Sequence, residues 1–367
     1  MRRGTASTRR MIASTVVRSL NTGMTTDWSG SEGTARPERS GCMEFRNVPQ
    51  LLIVVPNWLG DAVMALPAIA DVARAMPAAR MTVAARPSVA PLFTMVPSVH
   101  DVVGSVGRGA PFDAALLLPN SFQSALTVWR AGVRELWGYR TNYRGPLLTR
   151  AVLTPPDHLH QGAYYQYLVR ELGYATGPLE PTLEPTPDAR RAGLALLLAA
   201  GWDEKSPLVA IAPGAAYGGA KRWPARSFAE LILSLARDQV GSVLIGGPAD
   251  AAVGDEVVNL SGISTLNLIG RTDLPALAGV LVRCRALVSN DSGAMHLGAA
   301  LGVSVTAMFG PTDEQATRPL GRAGARAPVV LTHDVWCRPC LLRECPLTQR
   351  CMRGISVGAV AASVRSA

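Results

Sequence analysis

The sequence predicts an α/β protein made of two doubly wound parallel-sheet halves with a cleft between them. Three observations carry that expectation. Short apolar, often β-branched runs alternate with helical patterns throughout the chain after position 50, the spacing of parallel strands joined by crossover helices. The alternation stops at a proline-rich stretch, residues 177–187, and then restarts. Each half also opens alike, with a strand running straight into a glycine-bearing polar loop.

Composition agrees with two buried cores: of 367 residues, 48% are hydrophobic and 17% charged. No run of about 18 uninterrupted apolar residues occurs, so no membrane-spanning helix is expected. The net charge is +9, and seven arginines against three acidic residues in the first 42 positions hold about half of it. No Lys/Arg tract with interleaved aromatics is present, which argues against nucleic acid as a partner. A mildly basic remainder suits an anionic substrate or an anionic membrane face. Residues 1–47 are rich in Arg, Ser, Thr and Gly and lack the apolar core of a secretory signal. They read as a disordered extension or an over-called start, with the working chain beginning near Met43. Their opening resembles an organelle transit peptide, against which Asp27, Glu32 and Glu38 stand.

Residues 48–176 form the expected first domain. Gln50 to Val55 is a strand, Pro56-Asn57-Trp58-Leu59-Gly60-Asp61 its loop, and a helix follows from Ala62 to about Met76. A carboxylate is favoured at a helix N-terminus, so Asp61 reads as a simple cap as well as a reactive group. Met81–Ala85 and Ala114–Leu118 are further strands, with helical segments around Ser88–Met95, Ser121–Ala131 and Gln161–Leu172. The four prolines of 177–187 forbid a helix or central strand and make this the linker. The second domain, 188–352, begins with a helix over Ala189–Ala200 and a strand over Leu208–Ala212. A Gly-rich loop from Pro213 to Pro224, a helix over Ser227–Arg237 and a strand over Ser242–Ile245 come next. Gly246-Gly247-Pro248-Ala249-Asp250 then leads into a helix to Asn259, and Leu274–Arg283 is another helix. Ala286–Val288 is a strand, Ser289 to Gly293 a polar turn, Ala294–Leu301 a helix and Val303–Phe309 a strand. The turn leaves unpaired N–H groups and the positive pole of a helix at a strand end, which suits a phosphate, with Asp291 and His296 on either side. Residues 353–367 read as a C-terminal helix. Two Rossmann-like halves joined in this way place a ligand cleft at the carboxyl ends of the strands.

Three loops in order, N-W-L-G-D-x5-P-A (Asn57 to Ala68), P-G-A-x-x-G-x-A-K-R-W-P (Pro213 to Pro224) and N-D-S-G-A-M-H (Asn290 to His296), closely resemble the ADP-heptose:lipopolysaccharide heptosyltransferases of glycosyltransferase family nine. The resemblance runs from about Leu51 to the C-terminus and is strongest to the type II members. It implies a GT-B architecture and an inverting transfer of L-glycero-D-manno-heptose from ADP-heptose to the inner core of lipopolysaccharide. An acceptor of that kind lies in the inner leaflet, which implies a cytoplasmic enzyme in peripheral contact with a bacterial inner membrane. In GT-B proteins a C-terminal helix often crosses back to the first domain, and the same is expected of 353–367.

Such a transfer needs a base for the acceptor hydroxyl and positive potential for the departing diphosphate. Asp61, matching the family's G-D aspartate, is the expected base. Lys221 is the expected point charge, with the N-terminus of the 293–300 helix as its partner. On the donor side the candidates are Gly214, Tyr217, Lys221, Asp250, Asp291, Ser292, Gly293, Ala294 and His296. Asp250 closes a G-G-P loop where a carboxylate can take ribose hydroxyls. Asp291 orients the sugar or the loop, and His296 either touches the donor or packs. Acceptor contacts are expected from Asn57, Trp58, Gly60, Asn120, Arg140 and Arg144. The Arg-rich stretch from Gly138 to Arg150 suits phosphates and acidic sugars, although such a run is equally a solvated face.

Cys337-x2-Cys340-x4-Cys345-x5-Cys351 supplies the ligand count of a structural zinc or iron–sulfur site, or else four reduced packing thiols. No D-x-D pair stands at a strand end near the cleft, so no cofactor is expected for the transfer itself. Two other readings remain open. One is a family-nine transferase with a different sugar or acceptor, glycolipid or protein. The other is a non-catalytic nucleotide-sugar-binding protein, against which the presence of both Asp61 and Lys221 speaks.

Overall fold

Two sheets of six parallel strands organise the chain in the computed structural model, which describes residues 49–367; the stretch 1–47 lies outside them. The first sheet holds β1 (Gln50–Val54), β2 (Arg80–Ala84), β3 (Asp101–Val103), β4 (Ala114–Leu117), β5 (Glu135–Tyr139) and β6 (Arg150–Val152), in the order 3-2-1-4-5-6. The second holds β7 (Leu208–Ala212), β8 (Gly241–Leu244), β9 (Leu266–Asn267), β10 (Ala286–Asn290), β11 (Ser304–Phe309) and β12 (Val329–Thr332), in the order 12-11-10-7-8-9. The winding is therefore the same in both halves, and every strand pair is parallel. Strands covered on both faces have no polar side to alternate with, which is why β4 and β7 are apolar along their whole length. In each sheet the winding reverses between its first and fourth strands. The loops leaving those strands diverge there and open a crevice at the carboxyl edge.

The helices are α1 (Leu59–Met64), α2 (Leu66–Ala75), α3 (Phe122–Arg130), α4 (Gln161–Glu171), α5 (Pro187–Ala199), α6 (Ala225–Arg237), α7 (Ala251–Ser261), α8 (Leu274–Leu281), α9 (Gly293–Ala300), α10 (Glu314–Thr317), α11 (Arg350–Arg353) and α12 (Val357–Arg365). Ser121, Thr186 and Asp273 cap α3, α5 and α8 by accepting backbone N–H bonds. None of the helices in the described residues is long and apolar enough to cross a membrane.

Several expectations change. The single helix over 62–76 is two, because Pro67 in the first turn of α2 has no N–H with which to continue α1 past Ala65. Residues 90–95 form a 3-10 turn led by Pro91 instead of an α-helix. The Arg-rich stretch 138–150 begins in β5 and ends in β6. The C-terminal helix is broken at Gly354. Its main part, α12, buries Val360, Ala361 and Val364 against α6, β10 and β11 of the second sheet, so it does not cross back to the first half.

One apolar cluster runs through both halves, taking in Leu51, Ile53 and Ile69 from the first and Leu287, Leu297 and Val305 from the second. Asp71 pins the start of the linker. Fully buried, it pairs with Arg74 and accepts from Gln166 Nε2 at 2.8 Å and from the Gly177 amide at 2.9 Å, so its charge is completely met.

Candidate active site

Asp61 lies in the first turn of α1, on the loop that leaves β1 at the reversal point of the first sheet. Its carboxyl is half-buried, and burial pushes its proton affinity up; Lys221 opposes that rise and Asp291 adds to it. The charged groups of the second half therefore face Asp61.

Lys221 is carried by the Gly-rich loop after β7, and Asp291 by the turn after β10. Their side chains meet at 2.6 Å with 13% and 7% exposure. Thr312 Oγ1, at the end of β11, donates to the same Asp291 oxygen at 2.6 Å. Lys221 Nζ also lies 4.8 Å from the centre of the Tyr217 ring, a cation–π contact. Asn290 fixes the relative position of the two loops. Its Oδ1 accepts from the Trp223 amide at 2.9 Å, while its Nδ2 donates to the carbonyls of Pro213 (2.8 Å) and Gly214 (3.2 Å). Ser292 is the N-cap residue of α9, yet its side chain caps nothing and pairs with Ser289 Oγ at 3.0 Å. The N-terminus of α9, with Gly293 and Ala294 in its first turn, is thus left without a side-chain cap beside Lys221.

The two halves touch here. A Cβ on Gly60 would lie 2.9 Å from His296 Cδ2, and a Cβ on Gly293 would lie 2.8 Å from Leu59 Cβ. His296 is 4% exposed, and burial pushes its pKa down to about 4, so it is neutral near pH 7. Its ring packs at the junction between α1 and α9.

Asp250 and Gly214 are brought together, since a Cβ on Gly214 would overlap the Asp250 carboxyl. The carboxylate accepts from the Gly247 amide at 3.0 Å and remains at the carboxyl end of β8, where a ribose can reach it.

The acceptor-side candidates divide. Asn57, Trp58 and Arg140 are exposed at the carboxyl edge of the first sheet. Asn120 is engaged internally: its Nδ2 donates to Tyr164 Oη at 2.9 Å and its carbonyl accepts from Asn142 Nδ2 at 2.9 Å. Arg144 is a correction. It is fully buried, donates to the Tyr139 carbonyl at 2.8 Å and to the Pro119 carbonyl, and has no exposed edge for a substrate. Burial lowers its pKa to about 10. Through those two bonds Arg144 ties the turn between β5 and β6 to the end of β5 and to the loop after β4.

The Cys-bearing segment is placed unexpectedly. Cys337, Cys340, Cys345 and Cys351 line one pocket of about 410 Å³. Among the described residues, however, no three His, Cys, Asp or Glu side chains are gathered so as to hold a metal ion. The four thiols are free. The segment that carries them also holds the Lys221 loop. Tyr217 Oη donates to the Leu341 carbonyl (2.9 Å), Glu344 accepts from the Gly219 amide (2.8 Å), and the Arg343 carbonyl accepts from the Ala220 amide (2.9 Å). Gln349 Nε2 donates to the carbonyls of Gly219, Ala220 and Arg222 at 2.8–3.0 Å.

Sequence reasoning missed this clamp, and it missed His160. The His160 Nδ1 accepts the Gly162 amide at 3.1 Å at the start of α4, so Nε2 carries the proton and donates to the Arg318 carbonyl of the second half at 2.9 Å.

Two Rossmann-like sheets with a carboxylate on one side of the crevice and an anion-binding helix end plus lysine on the other define a GT-B nucleotide-sugar glycosyltransferase. The chain belongs to glycosyltransferase family 9 (heptosyltransferase), whose model matches residues 106–350. It is 30% identical over 303 residues to lipooligosaccharide heptosyltransferase 2 of Haemophilus ducreyi, covering 74% of this chain and 86% of that one. It is 29% identical over 304 residues to lipopolysaccharide heptosyltransferase 2 of Salmonella typhimurium, covering 74% and 85%. The fold is similar to that of Escherichia coli ADP-heptose lps heptosyltransferase II, with a TM-score of 0.74 at 26% identity over 86% of this chain and 98% of that one.

Proposed function

We propose that this glycosyltransferase moves L-glycero-D-manno-heptose from ADP-heptose, with inversion, to the inner core of a lipopolysaccharide, from the cytoplasmic face of a bacterial inner membrane. The observation that carries the reading is the opposition of Asp61 to the Lys221–Asp291 pair across the junction of the two halves. The names borne by its relatives point the same way.

Asp61 takes the proton of the acceptor hydroxyl. Its raised affinity brings it nearer the working pH, where a base is most effective. The freed oxygen attacks the anomeric carbon from the face opposite the diphosphate, the bond from that carbon to the phosphate oxygen breaks, and ADP departs with the electron pair. Lys221 and the N–H groups at the start of α9 take up the developing charge, and Asp250 holds the ribose. The protein's own cation and helix end meet that charge, so the reading calls on no metal for the step.

The test is ADP release from ADP-heptose with a mono-heptosylated Kdo–lipid A acceptor, for wild type and Asp61→Ala, with and without chelator. Turnover by the wild type, loss of at least about a hundredfold in Asp61→Ala and indifference to chelator support the reading. Binding of ADP-heptose without turnover on any acceptor of the series shows the acceptor class to be wrong. Failure of ADP-heptose to bind overturns the reading at the donor.

A further inference from the structure

We propose that the carboxyl edge of the first sheet, together with the outer face of α3, is the surface by which the protein sits on an anionic lipid bilayer; the inference rests on the glycolipid acceptor proposed above and gives its membrane contact an address. In the described residues 49–176, the large apolar side chains that stand out in solvent are Trp58 (60% exposed), Phe122 (43%), Trp129 (54%), Tyr143 (96%) and Leu153 (69%). Their placement is ordered. Trp58, Phe122, Tyr143 and Leu153 follow β1, β4, β5 and β6, which are consecutive neighbours in the sheet, so all four lie along one edge. Trp129 extends the strip down α3. Phe122, half-buried Leu126 and Trp129 fall at i, i+4 and i+7 on one side of that helix, while Ala125 and Val128 pack inward. An apolar strip of this extent marks a contact surface.

The turn that carries Tyr143 is held at a conformational cost. Asn142 and Tyr143 have φ of 49° and 60°, a region that residues other than glycine avoid. Bonds from Asn142 Nδ2 (2.9 Å) and Thr141 Oγ1 (3.3 Å) to the Asn120 carbonyl keep it there. The result is a tyrosine turned outward beside the start of α3.

Charge selects the occupant. Arg86 follows β2, Arg130 and Arg134 lie at the far end of α3, and Arg140 follows β5; all four are exposed and none is ion-paired with a described residue. In the loops leaving β1, β2, β4, β5 and β6 the exposed acidic group is Asp157. Unpaired arginines around tryptophan and tyrosine match the anionic headgroup layer, where such rings place their apolar body inward and their polar edge in water. The loop bearing Asp61 rises from this same edge, so a glycolipid held in that layer presents its sugars to the base.

The test is co-sedimentation of the full chain with phosphatidylcholine vesicles, with and without phosphatidylglycerol. The wild type should bind only the anionic vesicles and should release in high salt. A variant carrying Trp129→Ser, Arg130→Glu and Arg134→Glu should lose at least about tenfold in partitioning, since one arginine near such a surface contributes about a factor of five. Its melting temperature and its transfer to a delipidated acceptor in free solution should not change. Arg130→Glu with Arg134→Glu alone gives the same comparison should the triple variant fold poorly. Equal binding to neutral vesicles, or undiminished binding by the variants, overturns the proposal. Vesicle binding that behaves as expected in a protein that transfers to no acceptor leaves this face standing and removes the reading of the activity.

Discussion

One methyl group at position 60 should cost activity through a contact made across the two halves. Gly60 sits in α1 and is not among the residues with a left-handed backbone, so alanine is conformationally acceptable there. By itself, glycine to alanine in a helix favours alanine by about 0.5–1 kcal/mol. The added Cβ, however, would stand 2.9 Å from His296 Cδ2 and 3.3 Å from its Nε2. Carbon atoms rest about 3.5–4.0 Å apart, and a ring only 4% exposed has nowhere to swing. Overpacking of this kind costs about 1–3 kcal/mol, so the net effect is about 1–2 kcal/mol against the joined arrangement. That is roughly a tenfold fall in kcat/KM. The assay is ADP release by wild type, Gly60→Ala, His296→Ala and the double variant. Removing the ring makes room for the methyl, so the two changes should couple favourably by about 1–2 kcal/mol. Wild-type kcat/KM in Gly60→Ala, or strict additivity in the cycle, would refute the argument that this contact brings Asp61 to the donor site.

Three further outcomes follow from the charges and the clamp. Asp291→Asn removes a group that raises the proton affinity of Asp61 and frees Lys221, which lowers it, so the acid limb of the kcat/KM profile should move to lower pH; an upward movement contradicts the assignment. His296 has a pKa of about 4 in the folded chain against about 6.5 when free. The unfolded chain therefore binds the proton first, and stability that is full above about pH 6.5 is lost as pH falls towards 4. The urea midpoint should thus fall more steeply across that window in wild type than in His296→Gln, and equal slopes refute it. Gln349→Leu deletes three bonds to the Lys221 loop, and at a net 0.5–1.5 kcal/mol or so for each bond, ADP affinity measured by calorimetry should weaken about tenfold or more. Unchanged affinity would show that the loop holds its shape without the clamp.

Most inner strands were legible because burial on both faces leaves an unbroken apolar run, as in Leu208–Ala212, whereas β5, which opens on exposed Glu135, was missed. The edge strands were not legible. Asp101–Val103, Arg150–Val152 and Leu266–Asn267 are two or three residues long and carry polar side chains, so no period can be read from them. That Asp61, Lys221 and Asp291 would meet at the crevice was legible because a polar loop leaving a central strand at the winding reversal must face it. Arg144 misled for a physical reason: a loop arginine is ordinarily solvated, whereas this one turns inward to donate to the carbonyls of Tyr139 and Pro119. Glu344 and Gln349 act on a loop more than a hundred residues earlier, through a few hydrogen bonds that leave no periodic trace in either segment.

The Lys221–Asp291 pair also bears on how the cycle closes. Lys221 is only 13% exposed, and Asp291 supplies its counter-charge while the site is empty. The Asp291 oxygen that holds it is already shared with Thr312, so a diphosphate carrying more than one negative charge is the stronger partner. On the function proposed above, Lys221 would pass from Asp291 to the diphosphate as the donor binds, and the pair would re-form as ADP leaves. Asp291→Asn takes that returning partner away. The variant should hold ADP more tightly than wild type while turning over more slowly, a combination that loss of a simple donor contact would not produce. If ADP instead binds more weakly to Asp291→Asn, Asp291 holds the nucleotide side of the site directly and the exchange of partners does not occur.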